Sequence, residues 1–172
     1  HNNPSIVNMS YGGYGLPKIV FDVLKILAEH GIVLIAAAGN EGKSFPADPA
    51  SSPYVIAVGA IDRNRNIARF SNRGSGINIY APGQDIVLSS QISRTPWSGT
   101  SFSSPFVAGL CANIMQGRPR PRNWNDVLEI KEKLLSLTIL RNNIPIIKTL
   151  ETIQSTEEDT KIFDEHIPND NN

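Results

Sequence analysis

A single cysteine, Cys111, excludes any disulfide within the chain, so cohesion must come from packing and the compartment is not written in cysteine pairing. No apolar run approaches the roughly 20 residues that a membrane-spanning helix needs. An excess of one charge is lacking too. Lys+Arg and Asp+Glu both number 16, the formal net charge is zero and the pI is about 7.0. That balance argues against a nucleic-acid groove or an anionic membrane surface as partner. Histidine is scarce, at His1, His30 and His166. The first residue is His1 and no charged-then-apolar leader follows it, so a targeting signal is not readable from this stretch. What is present is 172 residues at 40% hydrophobic content, enough for one compact domain with a core.

Along the chain, Ser5 to Ser10 reads as a short buried strand ended by Gly12 and Gly13. From Pro17 to His30, the residues Ile19, Val20, Val23, Leu24, Ile26 and Leu27 recur at helical spacing, and Gly31 stands where a C-terminal cap belongs. Ile32 to Ala38 is a continuous apolar run of strand length. Strand, helix, apolar strand is the pattern of a parallel βαβ unit covered on both faces. Further strands are expected at Tyr54–Gly59, Ile77–Ala81 and Ile86–Ser90. Ser101–Met115 reads as a helix of small and apolar residues packed on all sides, with Pro105 near its start. An extended Arg-Pro connector at 118–122, taken as a solvated linker, leads to an amphipathic helix from Trp124 to Leu137. From Glu151 the chain is polar and acidic and is expected to be disordered. The fold class is α/β, with residues 1–150 as the folded part and 151–172 as a tail.

Two segments carry candidate chemistry. Ala36-Ala37-Ala38-Gly39-Asn40-Glu41-Gly42 follows the apolar strand, and Ser98-Gly99-Thr100-Ser101-Phe102-Ser103-Ser104-Pro105-Phe106-Val107-Ala108-Gly109 opens the small-residue helix. Taken singly, each is an ordinary feature: a glycine turn after a strand, and serines capping a helix. A serine at a helix N-terminus nevertheless meets free backbone N–H groups and the positive end of the dipole. A serine hydroxyl is a poor nucleophile until a base takes its proton. An asparagine amide nearby can donate to developing negative charge.

Together these segments resemble the subtilisin-like serine proteases. Gly99 to Gly109 is similar to that family's nucleophile signature, and Ala37 to Asn40 to its oxyanion segment. Asn8-Met9-Ser10-Tyr11-Gly12-Gly13 is similar to its substrate-binding strand. Pro49–Pro53, Val58–Ala60, Phe70–Gly74 and Ala81–Gly83 look most like the proteinase K branch. The resemblance runs in the family's order from about Ser5 to Met115, with a weaker echo reaching Asn143-Ile144-Pro145. It implies a three-layer fold with a mostly parallel central sheet, of which this chain supplies the C-terminal half. It implies Ser101 as nucleophile and Asn40 as oxyanion donor. Ser10, Tyr11 and Gly12 would pair with an extended polypeptide substrate. Ala37, Ala38 and Gly39 would form one wall of the specificity pocket, with Ser44-Phe45-Pro46 opposite, leaving room for a bulky apolar side chain.

The same resemblance places the acid and base of the triad ahead of the Asn8-Met9-Ser10 strand. No histidine or aspartate here matches them: Asp22, Asp48, Asp62 and Asp85 read as solvated or capping. The expected activity is therefore serine endopeptidase in a longer protein, with this piece alone inactive. The alternative is a degenerate relative that keeps the groove as a peptide-binding or regulatory module. Besides substrate, a propeptide or an N-terminal half are the implied partners, and an extracellular location follows from the resemblance alone. Asn78 stands where the proteinase K branch has a calcium-binding aspartate that acts with carbonyls matching Pro53 and Val55. An amide there removes a full charge from a hard-cation site, so neither calcium nor any other cofactor is expected. Phe106 replaces a family histidine that is not the base. Cys111 reads as a small buried apolar residue.

Overall fold

The structure, a computed structural model, describes residues 5–88 and 95–148. In chain order its elements are β1 (Ile6–Met9), α1 (Lys18–Glu29), β2 (Val33–Ala37), β3 (Val55–Ile61), β4 (Ile79–Pro82), α2 (Thr100–Met115), α3 (Trp124–Ser136), β5 (Thr138–Arg141) and β6 (Ile144–Ile147). The strands form one sheet in the order β1-β2-β3-β4-β6-β5, parallel throughout except for the β5–β6 pair.

The continuous apolar run of β2 has its reason in this layering. Alternate side chains point to opposite faces, so Leu34 and Ala36 join Leu24 and Ala28 of α1 on one side. Val33 and Ile35 join Val107 and Cys111 of α2, and Val127, Ile130 and Leu134 of α3, on the other. Both faces are covered, and all five β2 residues are buried. Each large aliphatic side chain so buried contributes about 1.5–3 kcal/mol relative to exposure. Trp124 packs against both clusters and closes the layers at one end.

The helix ends follow local rules. Gly31 adopts φ 80°, its N–H bonds Ala28 O at 2.9 Å, and the Ile32 N–H bonds Leu27 O at 3.1 Å. This is a complete Schellman ending, and it turns the chain directly into β2. Asn123 caps α3 by accepting from the Asp126 N–H at 3.1 Å.

Three sequence expectations change. Residues 86–88 form no strand: Ile86 makes a single antiparallel bridge to Trp97, and Val87 and Leu88 are exposed, so no burial drives strand formation. Ser89 and Ser90 lie outside the described residues, as does the acidic stretch 151–172. Helix α2 is buried on one face only, through Thr100, Ser103, Ser104, Val107 and Cys111, while Pro105, Phe106, Gly109 and Asn113 are exposed. Small size permitted close packing and did not by itself enforce it. The third change is an addition, the β5–β6 hairpin. It turns at Asn142 and Asn143, both at positive φ (52° and 62°), and carries Ile146 and Ile147 to the β4 edge.

Candidate active site

The C-terminal ends of β1 and β2 and the N-terminus of α2 converge, and the candidate residues lie there. Pro105 lies within α2 and has no N–H to offer the carbonyl four residues earlier, that of Ser101. The Ser101 carbonyl instead accepts the Ser10 hydroxyl at 3.0 Å. The Ser101 hydroxyl in turn donates to the Ser10 carbonyl at 3.0 Å. This reciprocal pair joins the end of β1 to the first turn of α2. Asn8 Nδ2 donates to Ser10 Oγ at 2.8 Å, and Ser104 Oγ lies 3.1 Å from the same oxygen. Ser10 has one hydroxyl hydrogen and gives it to Ser101, so Ser104 is the donor in that contact.

Asn40 approaches from the loop after β2. Its Oδ1 accepts from the Thr100 N–H at 2.8 Å and the Thr100 hydroxyl at 3.0 Å. Because Gly99 offers no side chain to cap α2, this amide satisfies one of the free N–H groups of the helix. With the oxygen so engaged, Nδ2 faces the Gly99 side, 3.6 Å from where a Gly99 side chain would begin. An amide donor, a serine hydroxyl and the N-terminal N–H groups of a helix thus adjoin one another. That set suits charge developing on a carbonyl oxygen attacked at Ser101.

The remaining candidates lie at the ends of β1 and β2 and just beyond them. Tyr11 is exposed, while Ala37 and Ala38 are buried. Gly12 passes so close to the next loop that a Cβ would lie 2.9 Å from Asp48 O. Gly39 holds φ 103°, and a Cβ there would meet Asn72 Nδ2 at 2.4 Å and Ala47 Cβ at 3.1 Å. Asn72, Glu41 and Ala47 therefore close around Gly39. Of the Ser44-Phe45-Pro46 stretch, Phe45 contacts the Tyr14 ring, while Ser44 and Pro46 back onto Gly74 and Gly76.

Sequence reasoning overlooked the residue that holds this loop. Asn72, fully buried, donates Nδ2 to Ala38 O at 2.8 Å and Tyr14 Oη at 2.9 Å, and accepts from the N–H groups of Glu41 (3.2 Å) and Lys43 (2.9 Å). A buried asparagine flanked by serine and arginine carries no periodic signal; only its contacts give it a task. Glu41 was likewise passed over. The Tyr14 hydroxyl, then Asn72 and the backbone N–H groups of Asn40 and Glu41, outweigh desolvation and hold its carboxyl below the usual range. At Asp48 burial pushes upward. The Ser51 hydroxyl and the N–H groups of Leu16 and Gly15 prevail, and the net displacement is downward.

No base meets Ser101 among the described residues. His30 ends α1 with Nδ1 2.7 Å from Ile26 O, and His1 and His166 lie outside those residues. Asp22 pairs with Lys18, Asp62 caps the Asn64 and Asn66 N–H groups, and the Asp85 N–H bonds Ser98. At the calcium-like position, Asn78 Oδ1 accepts the Ala57 N–H at 2.8 Å and the Asn78 N–H bonds Ala57 O at 3.0 Å. That oxygen belongs to a neutral amide already accepting from a strand, a weaker ligand for a hard cation than a carboxylate.

Comparison with known proteins agrees with the geometry. The Subtilase family model matches residues 1–161. The chain is 35% identical over 168 residues to subtilisin amylosacchariticus of Bacillus subtilis subsp. amylosacchariticus, covering 91% of this chain and 42% of that protein. It is 44% identical over 122 residues to the subtilisin-like serine protease AsES of Sarocladium strictum, covering 68% of this chain and 31% of the relative. Among solved structures, the prenylagaramide maturation protease PagA superposes with a TM-score of 0.71 at 28% identity, over 87% of this chain and 61% of that one. The chain therefore spans less than half the length of these curated relatives.

Proposed function

The chain belongs to the subtilase family, and from that premise we propose that the whole protein is a serine endopeptidase working through an acyl-enzyme. Ser101 is the nucleophile and Asn40 the oxyanion donor. The observation that carries this reading is the pinning of Asn40 Oδ1 by Thr100, which leaves Nδ2 free beside the N-terminus of α2. In the reaction the Ser101 hydroxyl leaves the Ser10 carbonyl, loses its proton to a base and attacks the substrate carbonyl carbon. The oxyanion is received by Asn40 Nδ2 and the Ser101 N–H. Collapse expels the amine, and water then releases the acyl group.

The acid and base are supplied by sequence ahead of β1 in the longer protein, and the chain as given is inactive. Ser10, Tyr11, Gly12, Ala37, Ala38 and Gly39 receive an extended polypeptide, and a propeptide is a natural occupant of the same groove. Residues 1–150 act as part of the catalytic domain and 151–172 as an appendage to it. An extracellular site of action goes with this reading through the likeness to subtilisins. No helix among the described residues is long and apolar enough to cross a membrane. Calcium plays no part at position 78 in this reading, because a neutral amide there lacks the charge that a hard-cation site draws on.

An active-site fluorophosphonate probe tests the assignment. The full-length protein should be labelled, while its Ser101→Ala variant and the isolated 172-residue chain should not. The reading frame upstream should encode an aspartate segment and then a His-Gly-Thr segment. Missing motifs together with absent labelling would sink the endopeptidase reading in favour of a non-catalytic, peptide-binding relative.

A further inference from the structure

Helix α2 carries Ser101 in its first turn, and that turn lacks one of its own bonds. The Ser101 carbonyl would ordinarily accept from the N–H four residues on, and the residue there is Pro105. A helix carbonyl without a partner tilts out towards water, and the Ser101–Phe102 peptide would tilt with it. The Ser101 side chain leaves the same Cα, so its Oγ would swing as well. Attack on a carbonyl needs reacting atoms about 3–3.5 Å apart and aligned, and a displacement of about 1 Å can lower the rate about 10²-fold. The missing bond is made from outside the helix.

Ser10, just past the end of β1 and 91 residues earlier in the chain, makes it by donating its hydroxyl to the Ser101 carbonyl at 3.0 Å. A hydroxyl that turns freely would position nothing. This one is stopped, because Asn8 Nδ2 donates to its oxygen at 2.8 Å and the Ser104 hydroxyl meets it at 3.1 Å. One hydrogen given and two lone pairs filled exhaust what a hydroxyl has. Ser104 is fully buried on the covered face of α2. The bonds therefore close a ring from Ser101 through Ser10 to Ser104 and back along the helix. Strand β1 pairs with β2 as far as Met9, opposite Ala36, so the ring is anchored on the sheet. An extended peptide meets a strand through backbone N–H and C=O groups, which any side chain at position 10 would leave in place. The Ser10 hydroxyl faces the helix and is free of that task.

We propose that Ser10 is a positioning residue: its hydroxyl supplies the bond that Pro105 denies to the Ser101 carbonyl, and Asn8 and Ser104 fix its direction, so that Ser101 stays aimed at the substrate. The proposal rests on Ser101 being the nucleophile, and it gives the Ser10 side chain a duty separate from that of its backbone.

The test uses the full-length protein and one peptide substrate. Ser10→Ala should lower kcat by about tenfold or more with KM within about twofold, because the strand's backbone remains for the substrate. The rate of fluorophosphonate labelling at Ser101 should fall by the same factor, since that probe reads the serine without an extended peptide. Ser10→Thr keeps the hydroxyl and should restore most of both rates. Pro105→Ala returns the N–H that the Ser101 carbonyl lacks, so in that background Ser10→Ala should cost no more than about threefold. Unchanged kcat and labelling in Ser10→Ala, a loss that Ser10→Thr does not repair, or an equal loss in both backgrounds overturns the proposal. Should Ser10→Ala not fold, Ser10→Cys, close in shape and a weaker donor, takes its place. A kcat lowered by about threefold or more then upholds the proposal, and an unchanged one overturns it. A parent protein that neither cleaves nor is labelled removes Ser101 as nucleophile, and the proposal falls with that reading. A labelled parent matched by Ser10→Ala overturns the proposal alone.

Discussion

At Asn40 the two ends of one amide have different duties. The oxygen caps α2 through Thr100, and the nitrogen is the donor we propose for the oxyanion. A replacement therefore acts on two properties at once. Asn40→Leu in the full-length protein should lower kcat by about 10²–10³ with KM little changed, because the donor acts mainly on the charged intermediate. That figure is carried over from subtilisin's own oxyanion asparagine. Steady-state kinetics on a single peptide checks it; a rise in KM with kcat intact would assign Asn40 to ground-state binding. At this scale Ser101 and Asn40 are legible as candidates because their neighbours form ordered motifs. Asn72 and Glu41 were not, since their importance lies in partners many residues away, Ala38 and Tyr14.

Among the elements, those with strong periodicity were readable and those set by pairing were not. Helix α1, β2 and β3 announce themselves by apolar spacing and the Gly31 stop. The β5–β6 hairpin carried its signal in Asn142-Asn143, a pair suited to positive φ between two apolar stretches, yet its place beside β4 depends on Ile146 meeting Tyr80. Between β3 and β4 the decisive contact is Asn78 with Ala57, which leads the chain into β4. Since a neutral amide stands at this position in place of a carboxylate, millimolar calcium should leave the Tm of the full-length protein where it is in metal-free buffer. A rise that Asn78→Ala abolishes would show a cation bound at this position.

For the molecule as a whole, Cys111 reports on the core. It lies between α2 and the sheet, and burial pushes its thiol up to about 12. A raised folded-state value means that the unfolded chain gives up its proton first. Stability should hold below about pH 9 and fall as the pH rises towards 12. Denaturant titrations of the full-length protein at pH 8 and pH 10.5 check the sign. Cys111→Ala should flatten the fall, whereas an unchanged slope would assign it to other groups. The thiol should also react with a thiol reagent only as fast as the structure opens.

By itself the sequence determined the α/β class, the parallel βαβ unit and the candidate pair Ser101 and Asn40, because periodicity, caps and short motifs are local properties of a chain. Only the tertiary structure decided which face of α2 is covered, that residues 86–88 pair at a single bridge, and that Thr100 sets the direction of the Asn40 amide. It alone gathered Tyr14, Glu41, Lys43 and Asn72 beside Gly39. Those outcomes depend on hydrogen bonds and contacts between residues far apart in the chain, and no local pattern encodes them.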